Sequence, residues 1–306
     1  MRKIFNKTLL SLAEKDERIH LVLADIGYGE IEAFAHKFPY RYYNVGVAEQ
    51  NMTGVACGLA MEGNIALTYS IANFPTLRCL EQIRNDICYH NANVKIVIIG
   101  GGVSYGPLGI SHHSTEDIAI MRALPNMVVL VPCDLQEAEA ATRAMLAYEG
   151  PVYFRCGYKG EKDVHHRPFQ YEIGKAIEVE EGGDCAVIFS GPIGLEAQYA
   201  VYAAREKGIN CRLISMHTIK PIDREAIVRA ARETGRILTL EEHNLSGGLG
   251  SAVAEVLADE GCLNVRFKRM ALPDVYVHEV GHQQWLRERY HLAKEDILRK
   301  IVDISQ

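Results

Sequence analysis

Several polar side chains in the first half of the chain stand at the ends of short apolar runs. Asp25 follows "HLVLA", Glu49 follows "YYNVGVA", Tyr69 and Ser70 end "NIALTYS", and Arg155 ends "PVYFR". A Gly-rich loop, "GGVSYGPLGISHHSTED", carries the adjacent pair His112 and His113. A carboxylate held away from water must find a charged or hydrogen-bonding partner, which suits it to binding or proton chemistry. Histidine in a loop suits hydrogen bonding or proton transfer near neutral pH. An arginine at a strand end suits the grip of a phosphate. A plainer reading stands beside each of these. Glu49 opens a helix, where the macrodipole alone favours an acid by ~0.3–1 kcal/mol, and Arg155 reads more readily as a surface residue. No metal site is expected: neighbouring histidines on an extended loop point apart, and no acid or histidine cluster at ligand spacing accompanies them.

The elements that must position these groups alternate from end to end. The runs "HLVLAD", "YYNVGV", "NIALTYS", "VKIVIIGG", "MVVLVP" and "PVYFRC" read as strands, with helical patterns such as "QEAEAATRAMLAYE" between several of them. The polar stretch "GYKGEKDVHHRPFQYEIGK" then interrupts the pattern and reads as a domain boundary. Beyond it "CAVIFSG", "NCRLISM", "RILTLEE" and "NVRFKRMAL" repeat the alternation. Strands alternating with helices imply mainly parallel sheets covered on both faces. The expected fold class is therefore α/β, two doubly wound domains at 1–165 and 166–306. Ligands in such sheets collect beyond the carboxyl ends of the strands, where the polar residues named above stand.

Glu49 begins a helix whose apolar positions are Met52, Val55, Ala56, Leu59 and Ala60, with Gly54 and Gly58 leaving a bare flank for close packing against another helix or subunit. "SGGLGSAVAEV" contains G-x-G before a helix, but "EEHNL" separates it from its strand, so it reads as a tight packing turn rather than a dinucleotide fingerprint.

Composition narrows the function. Apolar residues make up 48% and charged residues 24% of 306, the balance of a globular protein. The net charge of -6 disfavours nucleic acid as a partner. No apolar run reaches membrane-spanning length, and "MRKIFNKTLLSLAEKDERIH" reads as an amphipathic helix rather than a leader peptide. Eight scattered cysteines without a C-x-x-C read as reduced thiols of a cytoplasmic protein.

At this level of detail the chain resembles the transketolases and their thiamine diphosphate relatives. "YNVGVAEQNMTGVACGLAMEG" is similar to their cofactor-activating segment, and "GISHHSTEDIAIMRALPNMVVLVPCD" to the segment that follows. "SMHTIKPIDREAI" and "TLEEHNLSGGLGSAV" resemble their third domain. The likeness covers nearly the whole chain, in order, and makes the first half a pyrimidine-binding domain and the second a transketolase C-terminal-like domain.

The resemblance implies roles. Glu49 would hydrogen-bond N1' of the cofactor's aminopyrimidine and favour the tautomer that deprotonates the thiazolium C2. His112 would bond substrate oxygens or shuttle protons, and Arg155 would grip a sugar phosphate. Phe74 or Tyr69 would stack on the pyrimidine, and Asp25 would lie near cofactor or substrate. Leu108 stands where the resemblance would place an aspartate, a departure that bears on which sugar is taken.

The G-D-G and asparagine pair with which the family holds Mg2+ and diphosphate are absent; "GGDCAVIF" lacks the second glycine. The chain thus resembles the C-terminal subunit of a split transketolase, completed in a heterotetramer by an N-terminal subunit and acting on sugar phosphates. Alternatives are a 2-oxoacid dehydrogenase beta subunit, a deoxyxylulose-phosphate synthase-like half, and a non-catalytic scaffold or regulatory module.

Overall fold

The computed structural model describes residues 1–306 except Tyr28 and Glu30. Its strands run in chain order as β1 (Ile19–Leu23), β2 (Tyr42–Asn44), β3 (Ile65–Ile71), β4 (Val94–Ile99), β5 (Val128–Leu130) and β6 (Val152–Cys156). The second half adds β7 (Ile177–Glu180), β8 (Cys185–Ser190), β9 (Cys211–Ser215), β10 (Thr218–Lys220), β11 (Arg236–Asn244) and β12 (Arg266–Leu272). They form one sheet of order β10-β5-β6-β4-β3-β1-β2 and another of order β12-β11-β8-β9-β7. All neighbours are parallel except the edge strands β10 and β7. The expected pair of doubly wound α/β domains is what the chain forms.

Both faces of the first sheet are covered. Ile65, Leu67 and Tyr69 of β3 face the helix Arg2–Ala13, which contributes Phe5, Leu9 and Ala13. Ala66 lies on the opposite face, in the cluster of Met52 and Ala56 from the helix Glu49–Met61. That second cluster continues into the other domain through Ile188, Ile214, Ile227 and Leu249, so the two domains share apolar core.

The halves also exchange structure. β10 follows β9 of the second sheet but pairs antiparallel with β5 at the edge of the first. The segment between β6 and β7 is held by side chains: Asp134 accepts the backbone N–H groups of Val164 and His165 at 2.9 and 3.1 Å. Gln198 donates to the Val164 carbonyl at 2.7 Å. All eight cysteines are free thiols, and seven are buried. Among the described residues, no helix is long and apolar enough to cross a membrane.

Candidate active site

β2 ends at Asn44, and after four intervening residues the chain enters the helix Glu49–Met61. The turn between them is organised by Asn44, whose Oδ1 accepts from the backbone N–H groups of Asp25 and Gly46, each at 3.0 Å. Asn44 Nδ2 donates to Asp25 Oδ1 at 3.0 Å. Asp25 itself sits beyond β1 with φ +52°, a left-handed conformation that Asp and Asn tolerate best. It therefore stands at the same sheet edge as Glu49 and holds the turn that leads there.

Glu49 is 3% exposed, although it opens its helix. Its Oε2 accepts from Arg78 Nη1 at 2.6 Å, and its carbonyl accepts from Thr53 Oγ1 at 2.9 Å. Arg78 is 51% exposed, and its guanidinium carbon lies 5.4 Å from the Phe74 ring centroid. The Phe74 ring in turn meets His112 edge-on, with centroids 5.2 Å apart. Asn73 Nδ2 donates to the Ser111 carbonyl at 2.8 Å, which ties the Phe74 helix (Asn73–Leu77) to the histidine loop. Glu49, Arg78, Phe74 and His112 thus form one connected line drawn from three segments. Burial lowers the pKa of His112, which favours the neutral imidazole. Its Nδ1 lies 2.9 Å from Ser111 Oγ, which leaves Nε2 as the ring's other hydrogen-bonding atom.

The structure separates two expected residues from this group. Tyr69 is 2% exposed, and its ring packs 6.1 Å from Phe5 on the sheet face opposite the Glu49 helix. It is a core residue, and Phe74 is left as the aromatic beside Glu49. Arg155 is 4% exposed and committed within the protein. Its Nε donates to Asp117 Oδ2 at 2.7 Å, and its Nη2 donates to the carbonyls of Ser114 and Glu242 at 2.9 and 3.1 Å. Tyr153 Oη donates to the same Asp117 oxygen at 2.8 Å. This arginine fastens the two domains together and is not available to grip a phosphate. Its contact with Glu242 comes from the second domain, which a strand-end position cannot reveal.

The neighbouring histidine differs from His112. His113 is 3% exposed, and both its ring nitrogens lack a hydrogen-bond partner in the protein. Leu108 and Ile110, on the turns just before the pair, are half exposed. Cys133, Glu137 and His165 place potential ligand atoms within 4.8 Å of one another in the interior. There, however, Glu137 Oε1 lies 2.7 Å from His165 Nε2, and Glu137 Oε2 accepts the Cys133 N–H at 2.8 Å. The Glu137–His165 distance is that of an ion pair, shorter than two ligands around one metal ion leave between them. Arg78 was not singled out in the sequence; its spacing four residues after Phe74 on a helical stretch is the signal that points to it.

A buried acid paired with one half-exposed arginine, beside an aromatic ring and a histidine biased to neutrality, fits the aminopyrimidine end of thiamine diphosphate. Comparison with known proteins gives the family. Residues 1–158 match the model of the transketolase pyrimidine binding domain, and residues 174–297 match that of the transketolase C-terminal domain. The chain is 38% identical over 305 residues to an apulose-4-phosphate transketolase subunit of Phocaeicola vulgatus, covering 99% of this chain and 96% of that one. It is 36% identical over 307 residues to a 6-deoxy-6-sulfo-D-fructose transketolase subunit of a Clostridium species, covering 100% and 94%. A solved split gene transketolase, described as an inactive beta4 tetramer, superposes with a TM-score of 0.89 at 36% identity, covering 99% of this chain and 97% of that one. The chain belongs to the transketolase family, with the pyrimidine-binding and C-terminal domains in the arrangement of the split-gene subunits.

Proposed function

We propose that this chain supplies the aminopyrimidine-activating half of a thiamine diphosphate-dependent transketolase. An N-terminal subunit that carries the diphosphate and Mg2+ ligands completes it in a heterotetramer. The enzyme is a transketolase-type transferase, and the reaction is transfer of a two-carbon ketol unit between sugar phosphates. The observation that carries the reading is Glu49: a carboxylate buried at a helix start, at the carboxyl edge of a parallel sheet, and touched by Arg78.

Bound thiamine diphosphate supplies the electron sink that a ketol transfer requires. Glu49 holds a proton at the pyrimidine N1', so Arg78 must yield or share the carboxylate oxygen it bonds. Phe74 offers a ring against which the pyrimidine would pack. His112, neutral, hydrogen-bonds a sugar oxygen through Nε2. Asp25 and Asn44 keep the turn before Glu49 in place, so that the acid enters the site at a fixed height. Leu108 and Ile110 place apolar surface near His112 where the family pattern has an acid, which favours a sugar without a hydroxyl at that point.

The bare flank of the Glu49 helix supports a second chain. Gly54 and Gly58 are exposed, and a Cβ added to either would meet nothing within 4 Å. The domains divide at 1–165 and 166–306, and the assembly works in the cytoplasm. The test is reconstitution. Ketol transfer should require this chain, its N-terminal partner, thiamine diphosphate and Mg2+ together. Tight cofactor binding and turnover of a ketose phosphate by this chain alone would refute the half-site reading. Decarboxylation of pyruvate without a sugar donor would move the enzyme to the 2-oxoacid or deoxyxylulose-phosphate class.

A further inference from the structure

The His112 loop belongs to the first domain, yet what holds it comes largely from the second. Glu242, on β11, is 3% exposed and reaches beneath the loop. Its Oε1 accepts the Val103 N–H at 2.9 Å and Gln283 Nε2 at 2.8 Å. Its Oε2 accepts Arg287 Nε at 2.6 Å. Gln283 Nε2 also lies 3.1 Å from Ser104 Oγ, which itself donates to the Gly101 carbonyl at 2.7 Å. The fit over Gly102 is tight. With φ +65°, that residue would place a Cβ 2.4 Å from Glu242 Oε1, so only glycine lets the carboxylate approach.

The loop's far end is held from the same side. A Cβ on Gly106 would fall 2.2 Å from the Gly281 carbonyl oxygen, and one on Gly109 would lie 3.5 Å from Val280 Cγ2. Gly102 and Ser114 bond each other through both backbone groups, at 2.8 and 2.9 Å, which closes the loop at its base. His112 therefore sits on a closed loop whose underside is bonded to one carboxylate.

We propose that Glu242 is a positioning residue for the candidate site, through which the C-terminal domain holds the 101–113 loop and sets the place of His112. Glu242 is an unusual choice for mere packing. Three donors converge on it, and an ionised carboxylate is the side chain that accepts from all of them while donating to none. A glutamine there keeps the shape but sets its own N–H groups against Arg287 or Val103. The proposal rests on the reading of His112 given above, and gives the C-terminal domain a part in the site beyond packing.

Hydrogen exchange on the whole chain tests it directly. In Glu242→Gln, amides of residues 102–113 should exchange ~10-fold faster or more, while those of β8, the strand beside β11, keep their wild-type rates. Gln283→Ala removes one partner of the carboxylate and leaves Arg287 and the core untouched. It should give the same pattern at smaller amplitude, and it carries the test if Glu242→Gln does not fold. In enzyme assembled with its N-terminal partner, Glu242→Gln should raise the sugar KM ~10-fold and change kcat by less than ~3-fold, with cofactor affinity unchanged. Faster exchange spread evenly over β8 and the loop, or no change in the loop, overturns the proposal. If the wild-type assembly transfers no ketol unit, the functional reading of His112 falls while the exchange result still decides what Glu242 does.

Discussion

Arg78 and Arg155 make carboxylate contacts of nearly equal length, 2.6 Å to Glu49 and 2.7 Å to Asp117, in opposite surroundings. Arg155 and Asp117 are both buried, and two backbone carbonyls and a tyrosine hydroxyl complete the cluster. Arg78 is half exposed and leans on an aromatic ring. The first pair is closed off from solvent, and its arginine is held by a carboxylate and two carbonyls. Breaking it strands a charge in the interior, which is costly. The second can open when a ligand takes the arginine's place on the buried carboxylate, because Arg78 already stands half in solvent. What distinguishes a latch from a site is therefore whether one partner can leave.

The comparison can be broken, and the sharpest attempt is at the acid. Glu49→Gln keeps the size and the helix start, so folding and assembly should be unchanged, while kcat of the assembled enzyme should fall roughly 1,000-fold or more. Unchanged turnover would leave Glu49 as a helix-end acid. Asp117→Asn should act the other way. It should destabilise the chain by ~3–5 kcal/mol in denaturant unfolding, and whatever folds should keep its KM for the sugar. A selective rise in sugar-phosphate KM would restore Arg155 as a phosphate ligand. Arg78→Ala leaves the buried Glu49 carboxylate without that partner and should cost ~1–3 kcal/mol of stability. It should also reduce kcat ~10-fold, by loosening Glu49.

The smallest expected effect is a pH trend at a third carboxylate pair, Glu137 with His165, which is buried. Burial works against the charge on His165, but the hydrogen bond and charge of Glu137, with Asp134 and Asp163 behind it, raise the pKa of His165 overall. Burial would raise the pKa of Glu137, and the histidines and Ser215 outweigh it, so that pKa is lowered. A raised histidine contributes stability that is complete below its unfolded value of about 6.5 and is lost as pH rises through the folded value. A lowered glutamate contributes stability that is complete above about 4.5 and is lost on acidification. Thermal stability should therefore decline as pH is raised from 6 toward 9, and the decline should flatten in His165→Gln. An equally steep decline in that variant would remove the pair from the account.

The sequence was most legible where local chemistry and local geometry coincide. An acid at the start of a small-sided helix, after an apolar run, drew attention to Glu49, but on position alone it read as a helix-end acid, and its role came from the resemblance to the transketolases. The alternation of strands and helices was readable, since each element's pattern lies within its own residues. Tyr69 was harder. β3 is buried on both faces, so no polar alternation tells which way its tyrosine points, and that parity decides between core and site. Arg155 was illegible because its partners, Asp117 and Glu242, come from the start of a distant helix and from another domain. β10 escaped notice as a three-residue strand followed by proline, whose pairing partner lies in the other half of the chain. Arg78 and Glu242 belong to the same class: their roles exist only once distant segments meet.

The account stands on the claim that this chain holds half of a cofactor site. A native mass spectrum of the chain, tagged in its host and gently purified, tests that claim most directly. The predicted species is a heterotetramer containing a second chain, with mass increments for thiamine diphosphate and magnesium. Only homo-oligomers of this chain, without partner or cofactor, would contradict it.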